Sequence, residues 1–402
     1  MPRQEYDAIV IGAGPAGSAA ALRLAQAGAE VLLAEKRERI GYPVRCAEAT
    51  GPREEIARFL PVDEKWITAD IDGARFISPR GTVLERAFPG IGVMLDRERF
   101  DAGLAAAAGG AGAHVRPGCE ATGLKRRKEG WTVPFREGTQ EWQGRARLVV
   151  GADGVESLVG RWAGIRSGWK AEELYSCVEV RVRSQRECDG YLEFHFGGEI
   201  APGGYGWAFP KGGDLWNVGL GVNPARSDRR PAHLFLPKLL ARFDGGAPVI
   251  ERLAGAACRS RSLPAISGEG VLLAGDAAHQ GNPMTGGGIM NALEAGDLAG
   301  RVGADALAGP GPTASALSRY DEEWRRAVGR VNDRYHRLAR VFYSQDDGAM
   351  ERVWEGMANI FRKRDEGASR LSLASELFAL PGEFARALAP LALAGAGRRH
   401  LF

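Results

Sequence analysis

The 402-residue sequence has few cysteines, few lysines and no strong excess of charge of either sign. Its five cysteines are scattered and form no C-x-x-C pair, which argues against a disulfide framework or a zinc ribbon and predicts no metal site. The 53 basic and 50 acidic side chains nearly cancel, so the composition gives no reason to expect nucleic acid as a partner. Only eight of the basic residues are lysine, a bias that we attribute to a GC-rich genome rather than to function.

Long apolar runs are also missing, as are internal repeats and low-complexity tracts. A membrane-spanning helix needs about 20 consecutive apolar residues. The most apolar stretch near the C-terminus, residues 377–397, is interrupted by Pro381, Glu383, Arg386 and Pro390. The N-terminal residues lead directly into an apolar segment and show no signal-peptide pattern. The expectation is an intracellular, cytoplasmic protein that can rest on a membrane surface.

Glycine, by contrast, is abundant, with 56 residues, and the first motif is built on it. An apolar run, residues 7–11, leads into Gly12-Ala13-Gly14-Pro15-Ala16-Gly17, an alanine-rich segment and a second apolar run that ends at Glu35. In this pattern Gly12 permits a tight turn, Gly14 lets backbone N–H groups approach a pyrophosphate, and Gly17 lets the helix pack closely on the strand. The helix N-terminus faces the phosphate charge, and Glu35 is placed to bind a ribose. The pattern predicts a dinucleotide-binding unit without distinguishing FAD from NAD.

Two later segments favour FAD. Residues 148–154 end a predicted strand in a G-A-D-G turn that contains Asp153, and residues 270–279 end another in G-D-A-A-H, with Gly275 and Asp276. An aspartate at the end of a strand can bind the hydroxyl groups of a ribityl chain. The next predicted helix opens with Gly286, Gly287, Gly288 and Ile289, and its free N–H groups favour the negative charge that builds up on a reduced flavin ring.

Together with R-x-x-F-D at residues 97–101, these motifs resemble the FAD-binding flavoprotein fold of the p-hydroxybenzoate hydroxylase type. The resemblance implies an α/β, Rossmann-like FAD-binding domain with an inserted antiparallel-sheet substrate domain and a C-terminal helical region. It implies that Asp276 binds the ribityl chain and that Arg97 reaches the cofactor. The cofactor contacts it predicts are Gly12, Gly14, Pro15, Ala16, Gly17, Glu35, Lys36, Arg45, Cys46, Ala47, Arg97, Asp153, Gly275, Asp276, Gly286, Gly287, Gly288 and Ile289.

Two further segments resemble the geranylgeranyl reductase family. Residues 43–48 read P-V-x-C-x-E, and residues 205–210 read Y-x-W-x-F-P, followed by G-x-G at 219–221. This family uses reduced FAD to saturate double bonds of isoprenoid chains on lipids, quinones or chlorophyll precursors. The resemblance implies a long-chain isoprenoid or prenyl-lipid substrate and an external electron donor, which is a nicotinamide, a ferredoxin or a deazaflavin. It also implies that Cys46, Tyr205, Trp207 and Phe209 shape the reaction site.

The residues themselves leave alternatives open. Cys46 is either an active-site thiol, with a pKa lowered by the adjacent Arg45, or a small buried hydrophobe. Tyr205, Trp207 and Phe209 are interpreted as lining a pocket for an apolar chain, whereas the aromatic residues Tyr191, Phe194, Phe196 and Trp216 are interpreted as core. The other cysteines, Cys119, Cys177, Cys188 and Cys258, are interpreted as structural. His279 is a proton relay or, as we favour, a residue that positions the cofactor.

The predicted domains are interleaved. The FAD-binding domain comprises residues 1–75, 95–175 and 262–310, the antiparallel-sheet substrate domain comprises 176–261 with a hairpin at 76–94, and residues 311–402 form a helical region. From Leu317 to Phe342, apolar residues recur at steps of three and four while arginines fill the other faces. That segment is either a core-packed helix with a solvated basic face or a surface that contacts anionic lipid.

Three functions are compatible with the motifs. The preferred one is reduction of carbon–carbon double bonds of geranylgeranyl-type chains by hydride from reduced flavin and a proton. The second is a flavin-dependent monooxygenase or halogenase, in which reduced flavin reacts with oxygen. The third is a protein that binds prenylated partners without flavin chemistry. This hypothesis is the weakest of the three, because the set of FAD motifs is complete.

Overall fold

The computed structural model describes residues 4–365. In chain order, the strands are β1 (Glu5–Ile11), β2 (Val31–Glu35), β3 (Ala49–Thr50), β4 (Ile67–Ile77), β5 (Val83–Leu95), β6 (His114–Pro117), β7 (Cys119–Ala121), β8 (Lys125–Arg127), β9 (Gly130–Glu137), β10 (Gln140–Gly151), β11 (Leu174–Arg183), β12 (Tyr191–His195), β13 (Tyr205–Gly212), β14 (Leu215–Val222), β15 (Val249–Cys258), β16 (Ser267–Gly268) and β17 (Val271–Leu273). The helices are α1 (Pro15–Gln26), α2 (Arg53–Ile56), α3 (Arg97–Gly110), α4 (Leu158–Trp162), α5 (Leu236–Asp244), α6 (Ile289–Ala308), α7 (Ala314–Trp324), α8 (Arg330–Phe342) and α9 (Asp347–Asp365).

The first sheet is mainly parallel, in the order β16-β17-β10-β1-β2-β6, with β9 added antiparallel to β10. Its central strands are fully buried apolar runs, as expected of a parallel sheet covered on both faces. The carboxyl ends of β1, β2, β10 and β17 lie at one edge, which is where α/β sheets bind ligands. This topology collects the three glycine motifs, which are far apart in sequence.

The second sheet has the order β15-β11-β14-β13-β12-β4-β5-β3 and is antiparallel except between β4 and β12. Side chains alternate between its two faces. On one face, valines and leucines of β11 and β14 pack against Leu236, Leu239 and Phe243 of α5. The opposite face is lined by glycines, aromatic residues and polar groups. The hairpin of β4 and β5 begins at Ile67 and ends at Leu95. It is therefore longer than the predicted hairpin at residues 76–94.

The C-terminal helices pack against the far end of the second sheet. α7 and α8 are joined by a π-helical turn, Arg325–Gly329, and α8 buries Tyr335, Leu338 and Phe342 against Phe196 and Trp354. The arginines at 330, 337 and 340 remain exposed. Within residues 4–365, no helix is both long and apolar enough to cross a membrane. The predicted helical region extends to residue 402, and its part from 366 onward, including the apolar stretch 377–397, lies outside the described residues.

This architecture, a mainly parallel α/β sheet joined to an antiparallel sheet and to C-terminal helices, agrees with the predicted fold class.

Candidate active site

A cavity of about 370 Å³ lies between the two sheets. Its wall includes Gly14 and Pro15 from the first turn, Asp276 from the turn after β17, and Gly286, Gly287 and Gly288 before α6. The opposite wall is the second sheet, which contributes Tyr205, Trp207 and Phe209. One half-open cavity therefore joins the glycine motifs to the aromatic motif, and its size is within the roughly 300–1,000 Å³ of small-molecule sites.

The first turn leaves space where a phosphate is expected. Gly12 has a φ of +102°, and a Cβ on it would lie 2.3 Å from the Ala152 carbonyl oxygen. A Cβ on Gly17 would lie 1.8 Å from the Gly12 carbonyl oxygen, so α1 rests directly on the turn. A Cβ on Gly14, in contrast, would meet no described atom within 4 Å. Because no side chain caps the first N–H groups of α1, they face this open space.

Three carboxylates lie around the same edge. Glu35 ends β2 and accepts a hydrogen bond from the Ala13 N–H at 2.9 Å. Asp153 accepts from the Val159 N–H at 3.0 Å through Oδ2, while its buried Oδ1 has no hydrogen-bond partner among the described residues. Burial raises the pKa of Asp276, and a hydrogen bond from the Cys258 thiol opposes that rise. The open cradle at Gly14 and the buried, unpartnered oxygen of Asp153 fit a bound dinucleotide such as FAD.

The residues of P-V-x-C-x-E form a loop against the N-terminus of α3. The Glu48 N–H donates to the Cys46 Sγ at 3.2 Å, and Arg97 pairs with Asp101 through two hydrogen bonds of 2.9 and 2.8 Å. Burial raises the pKa of Cys46, although the Arg97 guanidinium opposes it. The expectation that the neighbouring Arg45 lowers the thiol pKa is therefore wrong, because Arg45 is exposed whereas the thiol is desolvated. Cys46 lies in the cavity wall as a protonated thiol.

Glu48 is the centre of a buried polar network behind this loop. It is 1% exposed and pairs with the Lys211 ammonium. Its carboxylate also accepts from the Asn217 Nδ2 at 2.8 Å and from the Arg97 N–H at 3.0 Å. The Arg181 guanidinium lies 3.5 Å from the same carboxylate. The network ties the Cys46 loop and α3 to three strands of the second sheet.

The aromatic wall depends on Gly219, the first glycine of G-x-G. Trp207 on β13 is paired with Gly219 on β14, and Gly219 is paired with Glu179 on β11. A Cβ on Gly219 would lie 2.5 Å from Trp207 Cζ2. Because glycine has no side chain, the indole of Trp207 can cross β14 at this position. The Trp207 Nε1–H then donates to Glu179 Oε2 at 3.0 Å. Gly219 thus joins an aromatic motif to a carboxyl group that is 28 residues away from it in sequence.

Tyr205 connects the second sheet to the flavin side of the cavity. Its hydroxyl donates to the Thr285 carbonyl, one residue before Gly286. Burial raises the pKa of Tyr205. This side chain therefore holds the turn before α6 and is a weak acid at neutral pH.

The structure brings many of the predicted site residues into one cavity wall. The predicted residues in it are Gly14, Pro15, Ala16, Arg45, Cys46, Ala47, Arg97, Tyr205, Trp207, Phe209, Gly275, Asp276, Gly286, Gly287, Gly288 and Ile289. Gly12 and Gly17 lie behind the first turn, and Glu35 and Asp153 lie beside it. Lys36 forms an exposed ion pair with Glu156 at 2.7 Å.

Several residues of the cavity are not among the predicted site residues. Cys177 and Cys258, interpreted as structural, both line the cavity. Phe194, interpreted as core, packs against two core clusters and lines the cavity as well. Glu179 is absent from the residues predicted from the sequence, although the alternation of side chains along β11 places it on the same face as Tyr175 and Cys177. His279 lies behind the Asp276 turn, stacked on Trp169 with ring centroids 3.3 Å apart, and burial lowers its pKa to about 4.

The parallel sheet with its glycine turns, joined to an aromatic sheet by one cavity, defines the class of the protein as an FAD-binding flavoprotein oxidoreductase. Residues 5–187 match the family model of an FAD binding domain, and residues 173–256 match that of the geranylgeranyl reductase catalytic domain. The digeranylgeranylglycerophospholipid reductase of Methanocella arvoryzae is 40% identical over 87% of this chain and 90% of its own. That of Methanosarcina mazei is 38% identical over 94% and 93%.

Solved structures agree with this assignment. A geranylgeranyl bacteriochlorophyll reductase-like protein from Thermoplasma acidophilum superposes with a TM-score of 0.85 and 28% identity, over 96% of this chain and 99% of that one. A flavin-dependent brominase shares only the fold, at 18% identity and a TM-score of 0.72, over 97% and 100% of the two chains. The chain belongs to the geranylgeranyl reductase family. As a member, it is an FAD-dependent oxidoreductase that reduces double bonds of geranylgeranyl chains.

Proposed function

We propose that the substrate is a glycerophospholipid that carries two geranylgeranyl chains. The observation that carries the proposal is the single cavity in which the FAD motifs face Trp207, Tyr205 and Phe209. A largely apolar wall suits an isoprenoid chain, because an alkene offers no polar group to bind and its reduction requires that water be kept from the reacting carbons. The names of relatives at 36–40% identity support the phospholipid as the carrier of the chains.

The site residues divide into two groups in this proposal. Gly14 and the first N–H groups of α1 hold the pyrophosphate of FAD, Glu35 its ribose and Asp276 its ribityl chain. The N-terminus of α6, after Gly288, faces the flavin ring and stabilises negative charge there. When bound and reduced, FAD supplies the hydride. The remaining tasks, which are to hold the chain, exclude water and provide a proton, belong to the second sheet and the Cys46 loop.

Each turnover oxidises the cofactor, so an external electron donor must reduce it again. The three classes that we expect, a nicotinamide, a ferredoxin and a deazaflavin, are distinguished by offering each one to the oxidised protein without oxygen. The donor is the one that bleaches the flavin absorbance at a rate compatible with turnover.

Mixing the dithionite-reduced protein with digeranylgeranylglycerophospholipid in the absence of oxygen is expected to restore oxidised-flavin absorbance. Mass spectrometry should then show products heavier by two hydrogens per reduced double bond. The same lipid with fully saturated chains is the control, and it should leave the flavin reduced. If the flavin stays reduced with both lipids until air is admitted, the proposal that a glycerophospholipid carries the geranylgeranyl chains is wrong.

The exposed face of α8 is proposed to bring the protein to a membrane that contains this lipid. Arg330, Arg337 and Arg340 are spaced seven and three residues apart and share one face of the helix. Within residues 4–365, none of the three forms an ion pair with a carboxylate. The opposite face of α8 packs in the cluster that contacts Tyr205, so the basic face lies outside the aromatic end of the cavity.

Replacing Arg330, Arg337 and Arg340 together with glutamine is expected to weaken binding to anionic phospholipid vesicles by about a hundredfold. The estimate follows from about 1 kcal/mol per arginine near an anionic surface. Co-sedimentation measures the effect. The matched control replaces Arg136, Arg145 and Arg183, which are exposed and paired with carboxylates elsewhere on the surface. An equal loss in both triple variants would attribute binding to net charge and contradict the role of α8.

A further inference from the structure

Glu179 is a carboxyl group in the cavity wall that is not among the predicted cofactor contacts. It is 6% exposed and lies on the face of β11 that also carries Tyr175 and Cys177. The neighbouring Val178 and Val180 point to the opposite face and pack in the core beneath α5. Nothing in the alternation of apolar residues requires an acid at this position, since a valine would bury equally well. A carboxyl group kept in an apolar wall calls for a functional explanation.

One oxygen of Glu179 is held and the other is free. The Trp207 Nε1–H donates to Oε2 at 3.0 Å across the gap left by Gly219. Within residues 4–365, no group donates a hydrogen bond to Oε1. The indole therefore fixes the direction of the carboxyl group while leaving a protonatable oxygen for a ligand in the cavity.

The environment of Glu179 keeps it protonated at neutral pH. Burial and the nearby Glu48 carboxylate raise its pKa to about 8, against the Trp207 hydrogen bond and the charges of Arg181 and Lys211. The thiols of Cys46 and Cys177 also face it, and burial raises the pKa of both, to about 12 for Cys177. Among these groups Glu179 has the pKa nearest to neutrality, which is where a general acid works best.

We propose that Glu179 is the general acid of the reaction, the catalytic residue that protonates one carbon of the double bond while the other receives hydride. The inference rests on the proposed function, because it needs an alkene in the cavity. The electrons balance. The π pair of the alkene forms the new C–H bond with the carboxyl proton, and the hydride from reduced FAD brings the pair for the second C–H bond. The O–H electron pair remains on the Glu179 carboxylate, which takes a proton from water before the next turnover.

Glu179→Gln is the first test. Glutamine keeps the size, the neutral charge and an oxygen that accepts from Trp207, but it cannot supply the proton. Flavin content and reduction by dithionite are expected to match the wild type, whereas reoxidation of the reduced flavin by the lipid slows by 10²- to 10⁴-fold. Glu251→Gln is the matched control. Glu251 lies on the adjacent strand β15, paired with Arg181, and its loss should change the rate by less than threefold.

Trp207→Phe tests the same role without removing the carboxyl group. The general acid acts when protonated, so the wild-type rate should fall as the pH rises through the pKa of Glu179, at about 8. The Trp207 hydrogen bond favours the carboxylate, so its loss raises the pKa and moves the basic limb of the pH profile to higher pH. A merely structural role would lower the rate at every pH without moving the limb.

A spectroscopic readout is independent of turnover. Infrared titration of the oxidised holoprotein should show a protonated carboxyl signal that disappears near pH 8 and is absent from Glu179→Gln. If the wild type reduces the lipid but Glu179→Gln reoxidises within threefold of it, the general-acid role is overturned. If Glu179→Gln loses its flavin, the pH profile of Trp207→Phe decides instead. A basic limb at the same pH as in the wild type would then overturn the general-acid role. A further outcome is that the wild type fails to reduce the lipid while the infrared signal still titrates near pH 8. That result would contradict the proposed substrate but not the protonation state assigned to Glu179.

Discussion

Gly17→Ala is expected to yield a protein without bound FAD and with a lower free energy of unfolding. The added methyl carbon would lie 1.8 Å from the Gly12 carbonyl oxygen and 3.0 Å from its carbon, both backbone atoms that belong to the phosphate turn. The clash is relieved only when α1 moves away from β1, and this movement takes the helix N-terminus away from the pyrophosphate. Overpacking of this kind costs about 1–3 kcal/mol, and the stabilisation from bound FAD is lost in addition. Flavin absorbance per protein and urea unfolding measure the two effects.

Gly14→Ala separates binding from folding. Its φ of −74° suits alanine, and the methyl group would meet no described atom within 4 Å, so the cofactor-free protein should be as stable as the wild type or slightly more so. Because Gly14 lines the cavity, that methyl group fills the space assigned to the pyrophosphate, and the affinity for FAD should fall at least tenfold. Full flavin retention in Gly14→Ala would show that the phosphate lies elsewhere. A Gly17→Ala protein with normal flavin content and stability would refute the close packing of α1.

The cofactor side of the molecule is predictable from the sequence because its determinants are local. Gly12, Gly14 and Gly17 lie within one turn and one helix start, and each is needed for a reason that acts over a few residues. Asp276 and Asp153 follow predicted strands directly. Once those strands are assigned to one parallel sheet, their carboxyl ends must meet at one edge. The FAD-binding fold is therefore predictable from the sequence, and it is confirmed.

The substrate side is harder to predict because its determinants are contacts between distant strands. That Trp207 reaches Glu179 depends on the register of three strands and on one missing side chain, at Gly219. The pKa of Cys46 depends on how deeply its loop is buried and not on the charge of its neighbour in sequence. Cys177 and Cys258 become cavity residues only because β11 and β15 pair beside the cofactor motifs.

The buried network around Glu48 is the clearest example of such contacts between distant residues. Its disruption is the second change for which we predict a large effect on stability. Lys211→Met is expected to lower the free energy of unfolding by about 3–5 kcal/mol, because it leaves a buried carboxylate without its ammonium partner. The loss should reach the Cys46 loop, since Glu48 donates its N–H to Cys46 and accepts the N–H of Arg97. Urea unfolding of the holoprotein measures the stability. Faster alkylation of Cys46 measures the loosening of the loop.

Lys238→Met is the matched control, since Lys238 pairs with Glu199 at 3.2 Å but both side chains are more than half exposed. Its cost should stay below about 1 kcal/mol, as for surface ion pairs in general. Adding Glu48→Gln to Lys211→Met removes a buried charge that only Arg181, at 3.5 Å, still balances. It should recover part of the lost stability, because a neutral amide is less costly to bury than an incompletely paired carboxylate. A Lys211→Met protein no less stable than Lys238→Met would mean that water or another cation compensates Glu48. In that case the Cys46 loop would be held by its backbone contacts alone, and the alkylation rate of Cys46 would not change.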